Sequence, residues 1–103
     1  MAEAYIIDAT RTPTGKRRGS LQDIHGADLA AHVIKEIVER NDIPEAEYDD
    51  VILGCVSPVA GQGADIARTA AITANYDEHA AGVTINRFCA SGLEAVNMAA
   101  AKV

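Results

Sequence analysis

Tryptophan is absent, phenylalanine occurs once, and the three tyrosines, Tyr5, Tyr48 and Tyr76, are scattered. So sparse an aromatic set forms no stacking stripe, which argues against a single-stranded nucleic-acid binder. Basic residues are also in the minority. Nine Lys and Arg stand against fifteen Asp and Glu, a formal net charge of -6. An acidic chain is poorly suited to neutralise a phosphate backbone or to lie on an anionic membrane, so neither partner is expected. No stretch approaches the ~18 uninterrupted apolar residues of a membrane span. Cysteine occurs twice, at Cys55 and Cys89. Two thiols make no disulfide framework, and Met1-Ala2-Glu3 opens without the basic and apolar segments of a secretory signal. Reduced thiols in a cytoplasmic setting are the expectation. Cys55, His79 and Cys89 are too widely spaced to read as a zinc-ligand pattern, so no metal is expected.

What remains is globular. Of 103 residues, 49% are apolar and 23% charged, enough for one small domain with a modest core. The sequence ends at Val103 inside an apolar-periodic run with no stop signal, which reads as a segment of a longer protein.

Tyr5-Ile6-Ile7 reads as a buried strand. Arg11 to Leu21, with Pro13, Gly15 and Gly19, is loop. Leu29, Ala30, Val33, Ile34, Ile37 and Val38 recur at helical spacing, with Lys35, Glu36, Glu39 and Arg40 on the other face. Asp28 or an earlier residue caps this helix, which ends before Pro44. Val51-Ile52-Leu53 is a second strand, covered on both faces and stopped by Gly54, with Cys55 and Val56 as an extension. Ser57 to Gly63 is loop. Asp65 caps a second helix, whose apolar positions are Ile66, Ala70 and Ile72, and whose alanines 67, 70, 71 and 74 allow close packing. Val83-Thr84-Ile85 is a third strand. A tight passage from Asn86 to Ser91 leads into a last helix with Leu93, Val96, Ala100 and Val103 as its apolar stripe. The order β-α-β-α-β-α implies a parallel or mixed sheet covered by helices.

Cys89 lies between that strand end and that helix start. Unpaired backbone N–H groups at a helix N-terminus favour a thiolate over a thiol. They can also hold an oxyanion formed when sulfur attacks a carbonyl. Ala90, Ser91 and Gly92 are small and leave room for a substrate. The other reading is a buried, inert thiol, and spacing alone does not separate the two. A cysteine nucleophile needs a base, and none of His25, His32 and His79 has a spacing that marks it as the partner. Lys16-Arg17-Arg18 reads as a solvated basic turn rather than a phosphate site. Gly61-Gln62-Gly63 lacks the third glycine of a dinucleotide fingerprint.

Two segments carry a resemblance. Ile7-Asp8-Ala9-Thr10-Arg11-Thr12-Pro13-Thr14-Gly15 resembles the first strand and following turn of the thiolase family, the acetyl-CoA acetyltransferases and 3-ketoacyl-CoA thiolases. Asn86-Arg87-Phe88-Cys89-Ala90-Ser91-Gly92-Leu93 resembles that family's nucleophile signature. Gly19-Ser20-Leu21, Val51-Ile52-Leu53-Gly54, Gly63, Ala67-Arg68 and Ala70-Ala71 extend the likeness through nearly the whole chain. It implies an α/β thiolase-like layered fold, of which residues 1–103 form a partial N-terminal domain with a mixed sheet. It also implies that Cys89 takes the acyl group, with its backbone N–H in an oxyanion hole. Coenzyme A is then a substrate, and no tightly bound cofactor is expected. The reaction is thiolytic cleavage of a 3-ketoacyl-CoA or the reverse Claisen condensation. The base and the proton-transfer group belong to sequence beyond Val103, so the segment alone is expected to be inactive. A homodimer or homotetramer is implied, with Val83, Thr84 and Ile85 near the dimer interface. Asn86 and Ser91 either brace the nucleophile turn or simply cap the helix, and Gly92 completes the supporting set. Many family members carry Asn or Asp where Cys55 stands, and its place at a strand end favours packing. A non-catalytic binding protein of the same fold, and a ketoacyl-synthase-like condensing enzyme, are the alternatives.

Overall fold

The computed structural model describes residues 2–75 and 78–103, with Glu45 as backbone only, so the expectation for Tyr76 lies outside the described residues. Five main elements follow the order α1 (Gly26–Asn41), β1 (Asp50–Gly54), α2 (Ile66–Thr73), β2 (Ala81–Ile85) and α3 (Ser91–Lys102). Single 3-10 turns occupy Glu45–Glu47 and Ala60–Gln62. The two strands pair in parallel, from Asp50 against Ala81 to Gly54 against Ile85. The Cys55 N–H donates to the Ile85 carbonyl at 2.9 Å and extends the ladder by one bond. Helices then cover a small parallel sheet, an α/β layering.

The cap of α1 is His25, whose Nδ1 accepts the Ala27 N–H at 3.1 Å. Asp28 falls in the first turn instead, where a carboxylate complements the helix dipole. The helix stops at Asp42, which takes a left-handed φ of 49° two residues before Pro44. Ala27 and Ala31 are buried. Ile34 and Val38 pack with Val51 against Ala71 and Ala80.

The strand expected at Tyr5-Ile6-Ile7 does not form. These side chains are 76%, 79% and 72% exposed. An extended apolar run becomes a strand only when a neighbouring edge takes its backbone hydrogen bonds. Here β1 and β2 pair with each other, and among the described residues no ladder reaches residues 5–7. Among the described residues the sheet is accordingly parallel and two-stranded rather than mixed. Just after this run Asp8 ties the segment to the end of α1. It accepts from Asn41 Nδ2 at 2.8 Å and from Arg40 Nη1 at 3.3 Å.

Helix α2 lies directly on the sheet. Ala67, Ala70 and Ala71 have no exposed surface. A Cβ on Gly82 would fall 2.7 Å from the Arg68 backbone nitrogen, so strand and helix touch backbone to backbone. Asp65 caps the helix by accepting from the Arg68 N–H. Thr84 ties that cap to β2, for its hydroxyl donates to Asp65 Oδ1 at 2.9 Å and accepts from the Ala67 N–H at 3.1 Å. Ile72, an apolar position of the same helix as Ile66 and Ala70, is exposed. At about 100° per residue it falls one step past the face formed by Ile66, Ala67, Ala70 and Ala71.

The face of α3 also differs from its pattern. Leu93, Val96, Ala100 and Val103 are exposed, and Ser91 and Ala95 turn inward. The helix packs mainly on β1, where only small residues allow so close an approach, and that seating sets its rotation. At its far end Lys102 pairs with Asp50. Among the described residues no helix is long and apolar enough to cross a membrane.

Thr84→Val keeps the side-chain shape but removes both bonds to the α2 cap. It should cost ~1–3 kcal/mol, read in the intact protein as a lower urea midpoint at unchanged slope. An unshifted midpoint would show that the cap does not depend on β2. The Asp8 carboxyl is held below its ordinary value, first by the Asn41 amide, then by the Ala9 N–H and the Arg40 charge. A depressed carboxylate stabilises above its unfolded value, and that contribution is lost as pH falls through the lowered folded value. Carbon-13 titration of Asp8 should therefore show a midpoint below that of a free aspartate, moving back towards it in Asn41→Ala.

Candidate active site

Five residues, 86–90, join Ile85, the end of β2, to Ser91, the start of α3. The turn closes through its own backbone. The Ala90 N–H donates to the Arg87 carbonyl at 3.0 Å, and the Ser91 N–H donates to the Phe88 carbonyl at 3.0 Å. So tight a path requires Phe88 to adopt a φ of 49°, in the left-handed region. For a bulky residue this costs about 1–2 kcal/mol. Two polar side chains hold the shape. Asn86 Oδ1 accepts the Phe88 N–H at 2.8 Å, while Asn86 Nδ2 donates to the Val56 carbonyl at 3.2 Å, beyond β1. The Ser91 hydroxyl donates to the Phe88 carbonyl at 2.6 Å and accepts the Arg87 N–H at 2.9 Å. Asn86 and Ser91 thus bond within the turn and to the neighbouring strand end. α3 has Ala90 at its cap position and no side-chain cap bond.

Cys89 stands next to last in this elbow, exposed, with a free thiol. Among the described residues its backbone N–H meets no acceptor, nor do those of Gly92 and Leu93. These groups lie at the positive end of the α3 dipole. An elbow of this kind presents a sulfur beside unpaired donors, which suits attack on a carbonyl whose oxygen gathers negative charge. Gly92 has open space where a Cβ would stand, with nothing within 4 Å. Arg87 spans the elbow from outside and meets Glu94, in the first turn of α3, with Nε to Oε2 at 3.0 Å. Phe88 is 75% exposed beside Cys89.

The histidines lie elsewhere in their roles. His25 caps α1, while His32 and His79 are exposed. Among the described residues no hydrogen bond reaches the Cys89 sulfur, and no group of three or more His, Cys, Asp or Glu is placed to hold a metal ion. Cys55 is 5% exposed and packs with Ala27 and Ile66 against Leu53, its sulfur 3.5 Å from Gln62 Oε1. It is a core residue at the β1 end. Val83, Thr84 and Ile85 pair with β1 along one edge, and the other edge of β2 has no strand beside it among the described residues. Cys89 lines none of the grooves of about 890, 280 and 210 Å³. The largest runs between β1 and α3. Sequence reasoning missed three contributors, namely the left-handed Phe88, Glu94 opposite Arg87, and Gly54 under α3. Only Gly54, a glycine ending an apolar strand, carried a signal.

Comparison with known proteins places this geometry in context. A profile described as thiolase, N-terminal domain, matches residues 4–103. A steroid 3-ketoacyl-CoA thiolase of Mycobacterium tuberculosis is 46% identical over 100 residues, covering 97% of this chain and 25% of that protein. A 3-oxoadipyl-CoA/3-oxo-5,6-dehydrosuberyl-CoA thiolase of Escherichia coli is 43% identical over 101 residues, covering 97% and 25%. A 3-ketoacyl-CoA thiolase of Bacillus subtilis is 39% identical over 104 residues, covering 100% and 27%. The chain spans about a quarter of the length of these relatives.

The strained backbone at Phe88 leads to an ordering of variants. Phe88→Gly removes the left-handed penalty and should match or exceed the wild type in thermal stability. Phe88→Val should be less stable by ~1–2 kcal/mol, since branching at Cβ worsens the left-handed clash. Thermal unfolding of the intact protein ranks the three, and a valine variant as stable as glycine would contradict the strain.

Proposed function

The chain belongs to the thiolase family through its N-terminal domain, and on that premise we propose that Cys89 is the nucleophile through which the intact protein passes acyl groups to and from coenzyme A. The observation that carries this reading is the exposed Cys89 thiol on a rigid elbow, beside the unpaired N–H groups that open α3.

In the thiolytic direction the Cys89 sulfur attacks the 3-keto carbon of a 3-ketoacyl-CoA. The carbonyl oxygen becomes an oxyanion, and the Cys89 N–H is the donor this chain offers it. Collapse breaks the bond between carbons 2 and 3. The electron pair leaves on acetyl-CoA and is quenched by a proton, and the shortened acyl group stays on sulfur. The thiol of a second CoA then attacks that thioester, releases the shortened acyl-CoA and returns a proton to Cys89. The condensation runs the same steps backwards, starting from acetyl transfer to Cys89. Both directions need a base at the thiol and a proton carrier at carbon 2. The reading assigns these to sequence outside this chain, because no described side chain hydrogen-bonds to the sulfur. The names of the relatives share a 3-keto (3-oxo) acyl-CoA and differ in the remaining acyl portion. This supports the class of substrate and leaves the acyl group open.

The same reading makes the protein a homodimer or homotetramer, with β2 pairing across the interface. Its support is the edge of Val83, Thr84 and Ile85 that carries no strand among the described residues. The setting is taken as cytoplasmic, consistent with two unbridged cysteines.

The test is direct. Brief exposure of the intact protein to acetoacetyl-CoA, acid quenching and peptide mass spectrometry should find the acyl group on Cys89. Cys89→Ala should carry none and should lose turnover by ~10⁴-fold or more. An adduct on another residue, or turnover surviving in Cys89→Ala, would refute the assignment. The isolated chain ending at Val103 should show no turnover.

A further inference from the structure

Gly54 ends β1, and an ideal Cβ built on it would fall 2.4 Å from the Ser91 carbonyl carbon, 2.5 Å from the Ser91 oxygen and 2.6 Å from the Gly92 nitrogen. All three atoms are backbone of the first turn of α3. No rotamer change relieves such a clash, so an added methyl must move the helix start or the strand. From these contacts we infer that Gly54 is a positioning residue for Cys89. Its missing side chain lets α3 rest on β1 and so sets where the elbow, and the sulfur on it, stands. The inference rests on the reading of Cys89 as nucleophile.

The path from Gly54 to Cys89 is short and made of named bonds. Ser91, the residue seated on Gly54, is 2% exposed. Its hydroxyl grips both the Arg87 N–H and the Phe88 carbonyl, the two residues before Cys89. The other end of the elbow is referred to the same stretch of strand. Gly54 pairs with Ile85, the Cys55 N–H donates to the Ile85 carbonyl, and Asn86 donates to the Val56 carbonyl. Both ends of the elbow are thus gauged against residues 54–56. Lifting α3 changes one end and leaves the other in place, which distorts the turn that carries the sulfur. Gly82 provides the matched contrast. It makes the same kind of close contact, 2.7 Å from the Arg68 nitrogen, but under α2, which carries no elbow residue.

The experiment compares Gly54→Ala, Gly82→Ala and Cys89→Ala in the intact enzyme, with thermal unfolding, kcat, KM and the rate of Cys89 alkylation by iodoacetamide. Both glycine variants should lose stability. Gly54→Ala should lower kcat by ~10–100-fold, with KM within about twofold, and should change the alkylation rate, as expected when a reacting atom is displaced by about an ångström. Gly82→Ala should keep kcat within about twofold. Wild-type kcat in a folded Gly54→Ala, or an equal loss in Gly82→Ala, overturns the inference. If Gly54→Ala fails to fold, Ser91→Ala decides. It keeps the backbone contact but cuts the hydroxyl link, and should lower kcat by ~10-fold or more at unchanged KM. Wild-type kcat in that variant overturns the inference as well. Acyl transfer surviving in Cys89→Ala would instead refute the proposed function, and the alkylation rate at Cys89 would still report its placement.

Discussion

At two points in this chain a helix meets the sheet without side chains between them. Gly82 lies against the start of α2, and Gly54 against the start of α3. Ordinary helix-on-sheet packing leaves a layer of side chains between backbones, and that layer can slide or repack. Contact between backbones cannot adjust in this way. It fixes the height, the rotation and the register of each helix start relative to the strand beneath. Three of the four buried residues of α2 are alanines, which suits so close an approach, and the fourth is Ile66 at its start. The apolar residues of α3 face outwards because the face with Ser91 and Ala95 is the one narrow enough to sit on β1.

The elbow inherits this rigidity. It hangs between β2 and α3, and its shape includes a left-handed phenylalanine that would not hold that conformation unaided. Asn86 and Ser91 satisfy the Arg87 and Phe88 amides and the Phe88 carbonyl, so the strained conformer is over-determined. Cys89 is left exposed, with unpaired donors around it. On the proposed reading of Cys89 as nucleophile, this rigidity serves the chemistry in a simple sense. A nucleophile that need not be ordered at the moment of attack spends no entropy on alignment. Donors already aimed need no reorganisation.

Much of this was legible beforehand. The amphipathic run from Leu29 to Val38, the cap at Asp65, the Gly54 stop and the tight passage before α3 follow from local rules of periodicity and capping, and they appear where those rules put them. The failures share one cause. Tyr5-Ile6-Ile7 has the composition of a strand, but a strand is a relation between two segments, and no described edge accepts it. Ile72 and the stripe on α3 have helical spacing, but spacing does not say which face a neighbour will cover. The start of α1 is no such failure, for its cap is a residue earlier than Asp28, as the pattern allowed, and the His25 ring nitrogen fills it by accepting the Ala27 N–H.

The residues from Asn86 to Leu93 resemble the nucleophile signature of the thiolase family, and it is that resemblance rather than their spacing that points to Cys89. What they leave open is whether the thiol is buried or presented, and how its turn is held. Those questions were decided by tertiary contact. Cys55 and Cys89 are both free thiols placed after apolar strands, yet one packs among Ala27, Ile66 and Leu53 and the other faces outwards. Cys55 continues the β1–β2 ladder and is covered by α1 and α2, whereas Cys89 sits in the exposed turn between β2 and α3. Sequence pattern can mark a residue type at a junction, but only the packed backbone determines which side of the sheet that junction faces.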